Sequence, residues 1–546
     1  MKFGLKKFFE TFGLPLLSAL LLSLSFPKFE LQILIFFALV PLFFSLKDEK
    51  SSAQIFQKVI FFGVLHYVIL LYWIVYTLIK YGQIPLPVSI FLLLLLSAYL
   101  SLYWVLFFLL LNFLNLLGHP TFWKGFLASL IFVSIEFLRS VLLTGFPWGL
   151  IGYPLTNFPT LLQIADLLGI WGLSLVVFLI NYFFYFVFER VGNYQHLRKG
   201  FYLDLLFFGV LIGAFLIYGQ GSFNLWKRTL ETSREVLKVS LLQGNIPQEL
   251  KEARETEISL KTYENLTLQS LKDFPDLIVY PETALPFYFP YEKEPSLKFL
   301  ATLEKVKAYS EDLKISPPAI IFGTFRVSFE KNPPLVHNSL LVWNGKEIED
   351  LYDKEKLVPF GEYVPLAQYF PFLKKISVVS DIIKPGISKN LQFKLKEKKM
   401  EVLPLICFES AFPQILVKRL KSGGDLVVIA TNDAWFDKTS APYQHFQMAI
   451  VRAVEGRRFV LQAANTGITG IIDPLGRVIK KSDLEREEIV SGEIKLLHKK
   501  TPFVKIGYLF PIFSLFVTFL LLITKIYAYF ILKAKYFRSK SLLEDQ

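Results

Sequence analysis

Cysteine and charge are both scarce in this chain, and each shortage excludes something. A single cysteine, Cys407, among 546 residues rules out an intrachain disulfide and any cysteine-cluster metal site. The six histidines include no pair at ligand spacing, and no glycine-rich phosphate cradle is present, so neither metal nor cofactor is expected. Only 19% of residues are charged, against 53% hydrophobic and a mean hydropathy of +0.45, which excludes an ordinary soluble domain. No internal repeat or low-complexity linker stands out.

The charge that is there lies unevenly. Residues 1–228 hold 15 basic and 8 acidic side chains, residues 505–546 hold 6 and 2, and the segment between holds 38 and 36. That near-neutral middle reads as a water-soluble domain. The basic excess sits in the apolar parts and speaks for membrane topology, not for nucleic acid. Seven apolar segments precede the middle, at about 12–26, 30–46, 56–79, 86–114, 124–143, 162–188 and 201–220, and an eighth lies at about 506–532. Each is long enough, or nearly so, to cross roughly 30 Å of hydrocarbon. The start imitates a signal peptide, with Lys2, Lys6 and Lys7 ahead of an apolar core, but no small-x-small cleavage site follows and it reads as a retained helix. Eight spans place Lys2/Lys6/Lys7, Lys47/Lys50/Lys58, Lys124, Arg190/Arg198/Lys199 and Lys533/Lys535/Arg538/Lys540 on one side, with Lys28 and Lys80 as exceptions. The positive-inside bias makes both termini cytoplasmic and puts the middle in the periplasm of a bacterium with two membranes. The expected domains are 1–228 (seven helices), 229–504 (catalytic) and 505–546 (eighth helix and basic tail).

The middle alternates buried strands, expected at Val236–Leu242, Leu277–Tyr280, Ala319–Gly323, Ser339–Trp343, Val402–Cys407, Leu426–Thr431 and Phe459–Ala464, with charged helical stretches at 255–273, 295–313 and 443–456. An α/β layout of this kind puts chemistry at the carboxyl ends of its strands. Three such ends suit acyl chemistry: Tyr280-Pro-Glu282-Thr, the stretch from Tyr352 through Lys354 and Lys356 to Glu362, and Cys407 itself. A thiol attacking an acyl carbonyl needs a base, which a partly buried Glu supplies. A Lys in a low-dielectric pocket stabilises both the oxyanion and the thiolate. Taken singly, each has a plain structural reading, since a charge just past a strand is most often solvated and a lone Cys is most often an inert hydrophobe. His445, on a helix after Pro442, reads as a hydrogen-bonded structural residue. Glu136 and Arg139, one turn apart in an apolar segment, read as an ion pair holding the bundle.

The segments Tyr280-Pro-Glu-Thr, Tyr352-x-Lys-x-x-Leu-Val-Pro-Phe-Gly-Glu-x-Val-Pro365 and Ile406-Cys-Phe-Glu409 resemble the Glu–Lys–Cys signature of the nitrilase superfamily, and more narrowly that of its membrane-embedded branch, the apolipoprotein N-acyltransferases. Gln243-Gly-Asn-Ile-Pro-Gln248, Thr144-Gly-Phe-Pro-Trp148, Thr431-Asn-Asp-Ala-Trp-Phe436 and Gln444-His445 extend the likeness along the chain. The resemblance implies eight membrane helices carrying an αββα nitrilase-like sandwich. It implies Glu282 as general base, Lys354 as oxyanion stabiliser and Cys407 as nucleophile. The family's spacing selects Lys354 and leaves Lys356 a loop charge. Glu362 and Glu409 match carboxylates that orient the site, Trp435 a residue near the substrate entrance, and Trp148 and Phe408 sites of substrate contact. Where the family often has Tyr after the cysteine this chain has Phe408, so no hydroxyl role can be assigned there; Glu252 stands where some members carry Trp.

The implied reaction moves an acyl chain from a membrane phospholipid, phosphatidylethanolamine, through a Cys407 thioester to the α-amino group of an S-diacylglyceryl apolipoprotein, by a monomer in the inner membrane. An apolar site protects such a thioester from water, and in an oxidising compartment a second cysteine could trap the nucleophile. The rival readings are a membrane-anchored amidase that hydrolyses its acyl-enzyme, and a scaffold bearing a dead domain. The stretches Pro286–Pro295 and 360–385 are lid candidates.

Overall fold

The computed structural model describes residues 2–192, 199–253, 255–329, 332, 334–364 and 383–544. Arg198, Pro365 and most of the 360–385 stretch fall outside them. Seven helices among the described residues are long and apolar enough to cross a membrane: Lys6–Leu24, Ser52–Leu70, Leu86–Phe113, Phe122–Thr144, Ala165–Val191, Gly200–Thr232 and Leu509–Ala534. They match seven of the eight expected segments.

The second segment differs. Gln32–Leu46 splits into a 3-10 turn, Gln32–Phe36, and a seven-residue helix, Val40–Leu46, with Pro41 at its start. Fifteen residues at about 1.5 Å each fall short of a bilayer. A break at that depth exposes backbone groups that lipid cannot satisfy. Here Asn181 on the 165–191 helix accepts from the Leu39 N–H at 2.8 Å and donates to the Ile35 carbonyl at 2.7 Å, and Ser18 accepts from Leu42. The expected 56–79 span is also interrupted: its helix ends at Leu70, and Trp73–Lys80 forms a separate turn of helix.

The middle of the chain folds into two facing sheets. The strands are β1 (Val236–Gln243), β2 (Leu277–Val279), β3 (Leu285–Tyr288), β4 (Ala319–Ser328), β5 (Leu335–Trp343), β6 (Ile348–Asp353), β7 (Leu391–Leu395), β8 (Lys398–Ile406), β9 (Leu426–Thr431), β10 (Val460–Ala464), β11 (Gly470–Ile472), β12 (Val478–Lys481) and β13 (Glu488–Lys495). One sheet runs β13-β1-β2-β4-β5-β6 with β3 beside β4; the other runs β12-β11-β10-β9-β8-β7. Val239, Leu241, Val279 and Ile321 from the first meet Val402, Val428 and Leu461 from the second in a shared apolar core. All seven expected strands are present. Within Pro286–Pro295, β3 takes the first three residues, a helix begins at Lys293, and Phe287 and Phe289 are buried while Tyr291 is exposed.

Helices Thr256–Ser270 and Lys293–Asp312 cover the first sheet. Over the second lie Pro413–Ser422 and Ala441–Gly456, and their apolar cluster runs on without a gap into the membrane helices. The long helix Lys199–Thr232 ends with Trp226 and Leu230 in the sandwich core. At this joint Asp166 accepts from Arg457, Tyr218, Ser222 and Trp226.

Candidate active site

Parallel pairing of β1, β2 and β4, and of β8, β9 and β10, points their carboxyl ends the same way within each sheet. Glu282 follows β2, Lys354 follows β6 directly, Cys407 follows β8 directly, and Asn432 follows β9. The local backbone is strained at two of these ends: Cys407 has φ +51° and Thr283 φ +45°. The Glu282 loop lies so close to β4 that a side chain at Gly323 would strike the Pro281 carbonyl and the Thr283 nitrogen.

Lys354 is buried, and its ammonium donates to Glu282 Oε1 at 3.1 Å and to Glu362 Oε1 at 2.8 Å. Burial penalises that charge, but Glu282 and Glu362 outweigh it and hold the Lys354 pKa above its ordinary value. Glu282 also accepts from Asn338 Nδ2 at 2.7 Å and, through Oε2, from the Asn432 N–H at 2.9 Å. The charges of Glu282 and Lys354 both reach the Cys407 thiol. Burial and the Glu282 carboxylate push that thiol up against the pull of Lys354, so at rest it keeps its proton and needs a base.

Glu409 staples two of these strand ends together. Its Oε1 accepts from Tyr352 Oη and from the Glu355 and Lys356 N–H groups, while Oε2 accepts from the Ile406 N–H. Glu362 closes its own loop by accepting from the Val358 N–H at 2.9 Å. Phe408 lies beside the Trp148 ring at 6.5 Å, and Trp148 donates to Gln444 at 2.7 Å. Trp435 stands against Tyr81 at 5.0 Å, and its carbonyl accepts from Thr77.

Lys356 is not the plain loop charge expected of it. Half-buried, it lies over the Phe412 ring and donates to the Thr144 carbonyl, tying the Lys354 loop to the membrane base. Glu136 and Arg139 do pair, but more of their work is on the 148–151 loop: Arg139 donates to the Trp148 and Gly149 carbonyls and Glu136 accepts from the Ile151 N–H.

Sequence reasoning missed Asn338, an interior residue of β5 with no flanking signal, and the Asn432 N–H, which no side-chain pattern reveals. It also missed Lys251, buried and donating to the Glu282 carbonyl at 3.2 Å. Burial lowers its pKa to about 7, Glu282 opposing.

A thiol on strained backbone, a shared carboxylate and a buried ammonium at converging strand ends, with the 144–148 loop of the membrane base against Lys356 and Phe408, fit acyl transfer from a lipid. Comparison with known proteins agrees on both halves. Residues 18–183 match the family model described as apolipoprotein N-acyltransferase N-terminal domain, and residues 238–498 match that described as carbon-nitrogen hydrolase. The apolipoprotein N-acyltransferase of Geobacter metallireducens is 32% identical over 88% of this chain and 88% of its own length. That of Haemophilus influenzae is 28% identical over 95% of each. Among solved structures, a Saccharomyces cerevisiae member of branch 10 of the nitrilase superfamily, 19% identical, covers 48% of this chain and 91% of its own with a TM-score of 0.34. With both halves matched and one relative similar over nearly its whole length, the chain belongs to the apolipoprotein N-acyltransferase family.

Proposed function

We propose that this bacterial membrane enzyme, acting as a monomer in the inner membrane with its catalytic domain periplasmic and both termini cytoplasmic, acylates apolipoproteins from phosphatidylethanolamine. Glu282 takes the Cys407 proton as the sulfur attacks the ester carbonyl. The Lys354 ammonium faces the negative oxygen that develops. The intermediate then expels the lysophospholipid oxygen, which receives the proton from Glu282, leaving a thioester. In the second half the α-amino group of the S-diacylglyceryl cysteine attacks the thioester. Its proton passes to Glu282 and on to the departing Cys407 sulfur, giving the amide and the free thiol.

One observation carries this reading: the Glu282 carboxylate holds Lys354 and acts on the Cys407 thiol, and Phe408 next to that thiol belongs to an apolar cluster continuous with the membrane helices. The orientation gains support from the two lysines that break the positive-inside pattern. Lys28 donates to the Lys438 carbonyl and Lys80 pairs with Glu249 and Asp437, so both are spent on the catalytic domain. An anchored amidase would share the triad but gives a multi-span base no task.

Intact-protein mass after incubation with phospholipid tests the proposal. One acyl adduct is expected on the wild type and none on Cys407→Ala, and a diacylated lipopeptide should remove the adduct as its amide. No adduct, or the same adduct on Cys407→Ala, defeats the mechanism; release as free fatty acid in the presence of lipopeptide makes it a hydrolase.

A further inference from the structure

The ring of His445 meets a polar partner at each nitrogen. Nδ1 lies 3.0 Å from Asp433 Oδ1, and Nε2 lies 2.7 Å from Ser410 Oγ and 3.1 Å from the Cys407 carbonyl oxygen. The carbonyl can only accept, so a proton on Nε2 is what makes that 3.1 Å approach a hydrogen bond, while the Ser410 hydroxyl, 3.0 Å from the same carbonyl, can bond to either. Both nitrogens therefore face acceptors, and only the imidazolium has a proton for each. His445, Asp433 and Ser410 are all buried. The titratable groups acting on the ring are Asp433 from the 433–436 turn and, by its charge, Glu282; Cys407 from the 407–411 turn presents its backbone carbonyl, and Trp148 from the membrane base an aromatic face at 5.9 Å. Burial disfavours the cation, but Asp433 and the other acceptors outweigh it and raise the His445 pKa.

The Asp433 charge also reaches the thiol, where it opposes the thiolate just as Glu282 does. Glu282 sheds its charge by accepting the thiol proton. Asp433 takes no proton in that step; its Oδ1 accepts from Thr431 and stands against His445, and its Oδ2 is buried without a partner among the described residues. Without a neighbouring cation, a fixed negative charge would stand beside the developing thiolate. Cys407 needs a second service as well, because its left-handed backbone must be held by its surroundings.

We propose that His445, protonated and paired with Asp433, is a positioning residue for the nucleophile: it pins the Cys407 backbone through its carbonyl and cancels the carboxylate charge that opposes the thiolate. The inference rests on Cys407 as nucleophile, yet its test reads the thiol directly and does not depend on acyl transfer.

Because Cys407 is the only thiol in the chain, the rate of iodoacetamide alkylation, followed by intact mass on the full-length protein in detergent from pH 6 to 11, reports its ionisation. His445→Gln keeps a donor for the Cys407 carbonyl but carries no charge. We expect about tenfold slower alkylation at pH 7 and a midpoint raised by about one pH unit, the equivalent of that change in thiolate fraction. The double variant His445→Gln/Asp433→Asn should bring the midpoint most of the way back. Ser410→Ala, which removes one bond to the carbonyl and no charge, should leave the midpoint in place. The proposal is overturned by a wild-type midpoint in His445→Gln, by a double variant as shifted as the single, or by a shifted midpoint in Ser410→Ala. Should His445→Gln fail to fold, Asp433→Asn decides alone: its midpoint should stay or fall, and a rise overturns the assignment.

Discussion

Two helices lie over opposite faces of the sandwich, and they bury very different shares of themselves. Lys293–Asp312 buries six of its 20 residues, in one stripe through Ser296, Phe299, Leu303, Val306 and Ser310, and leaves the rest to water. Ala441–Gly456 buries 14 of 16, with Arg452 and Glu455 among them. A helix buried all round needs a partner on its far side, and here that partner is the membrane base. Its polar residues are consequently not a solvated face. Gln444 donates to the Leu70 carbonyl and accepts from Trp148, Gln447 donates to Thr156, and Glu455 accepts from the Ile170 N–H. The same helix brings His445 against the Cys407 carbonyl, so the half of the sandwich that packs on the membrane base also holds the proposed nucleophile.

Substitutions on the two helices and at the joint beneath should keep this contrast. Arg457→Ala should do the most damage. It strands Asp166, its buried partner at 2.7 Å, and should cost about 3–5 kcal/mol, read as a lowered melting temperature in detergent. Next comes Glu455, whose carboxyl burial pushes up to about 7 against Arg452. A raised acid pKa means the folded state keeps a proton that the unfolded chain gives up. Stability should thus be highest below the unfolded value of 4.5 and fall as pH rises toward 7, by about 3 kcal/mol in all. Melting curves across that window should show Glu455→Gln without this fall. Gln444→Ala leaves the Trp148 N–H and the Leu70 carbonyl without their partner and should cost about 1–3 kcal/mol on chemical denaturation. On the water-facing helix, Lys298→Ala breaks solvent-exposed pairs with Glu257 and Glu294, and no resolvable change in melting temperature is expected. A Lys298 effect as large as that of Gln444 would erase the distinction.

Much of this was legible before any coordinates. Buried strands are near-continuous apolar runs, so β1, β2, β4, β5, β8, β9 and β10 could be picked out. The strands that escaped are short, edge-like or half-exposed: β12 is solvent-facing at all four residues, and β3 contains Pro286. Glu282, Cys407 and the Lys354/Lys356 stretch could be singled out because each sits at a strand end, while the choice of Lys354 over Lys356 and the roles of Glu362 and Glu409 came from the family resemblance. Asn338 and Lys251 could not, since their places depend on which strand and which loop lie opposite. Charge alone likewise could not tell that Lys28, Lys80 and Lys356 were contacts between layers, because that depends on how the sandwich seats on its base.

The broken second segment has a consequence for how the molecule is made. During synthesis Gln32–Leu46 leaves the ribosome too short to cross by itself, with backbone groups at its break unanswered. The side chain that answers them, Asn181, is 142 positions later than Leu39. On this geometry the broken segment gains its last backbone partners only after the sixth apolar segment of the chain has arrived beside it. A substitution at Asn181 would accordingly be felt as an insertion defect near the amino terminus, far from where it was made.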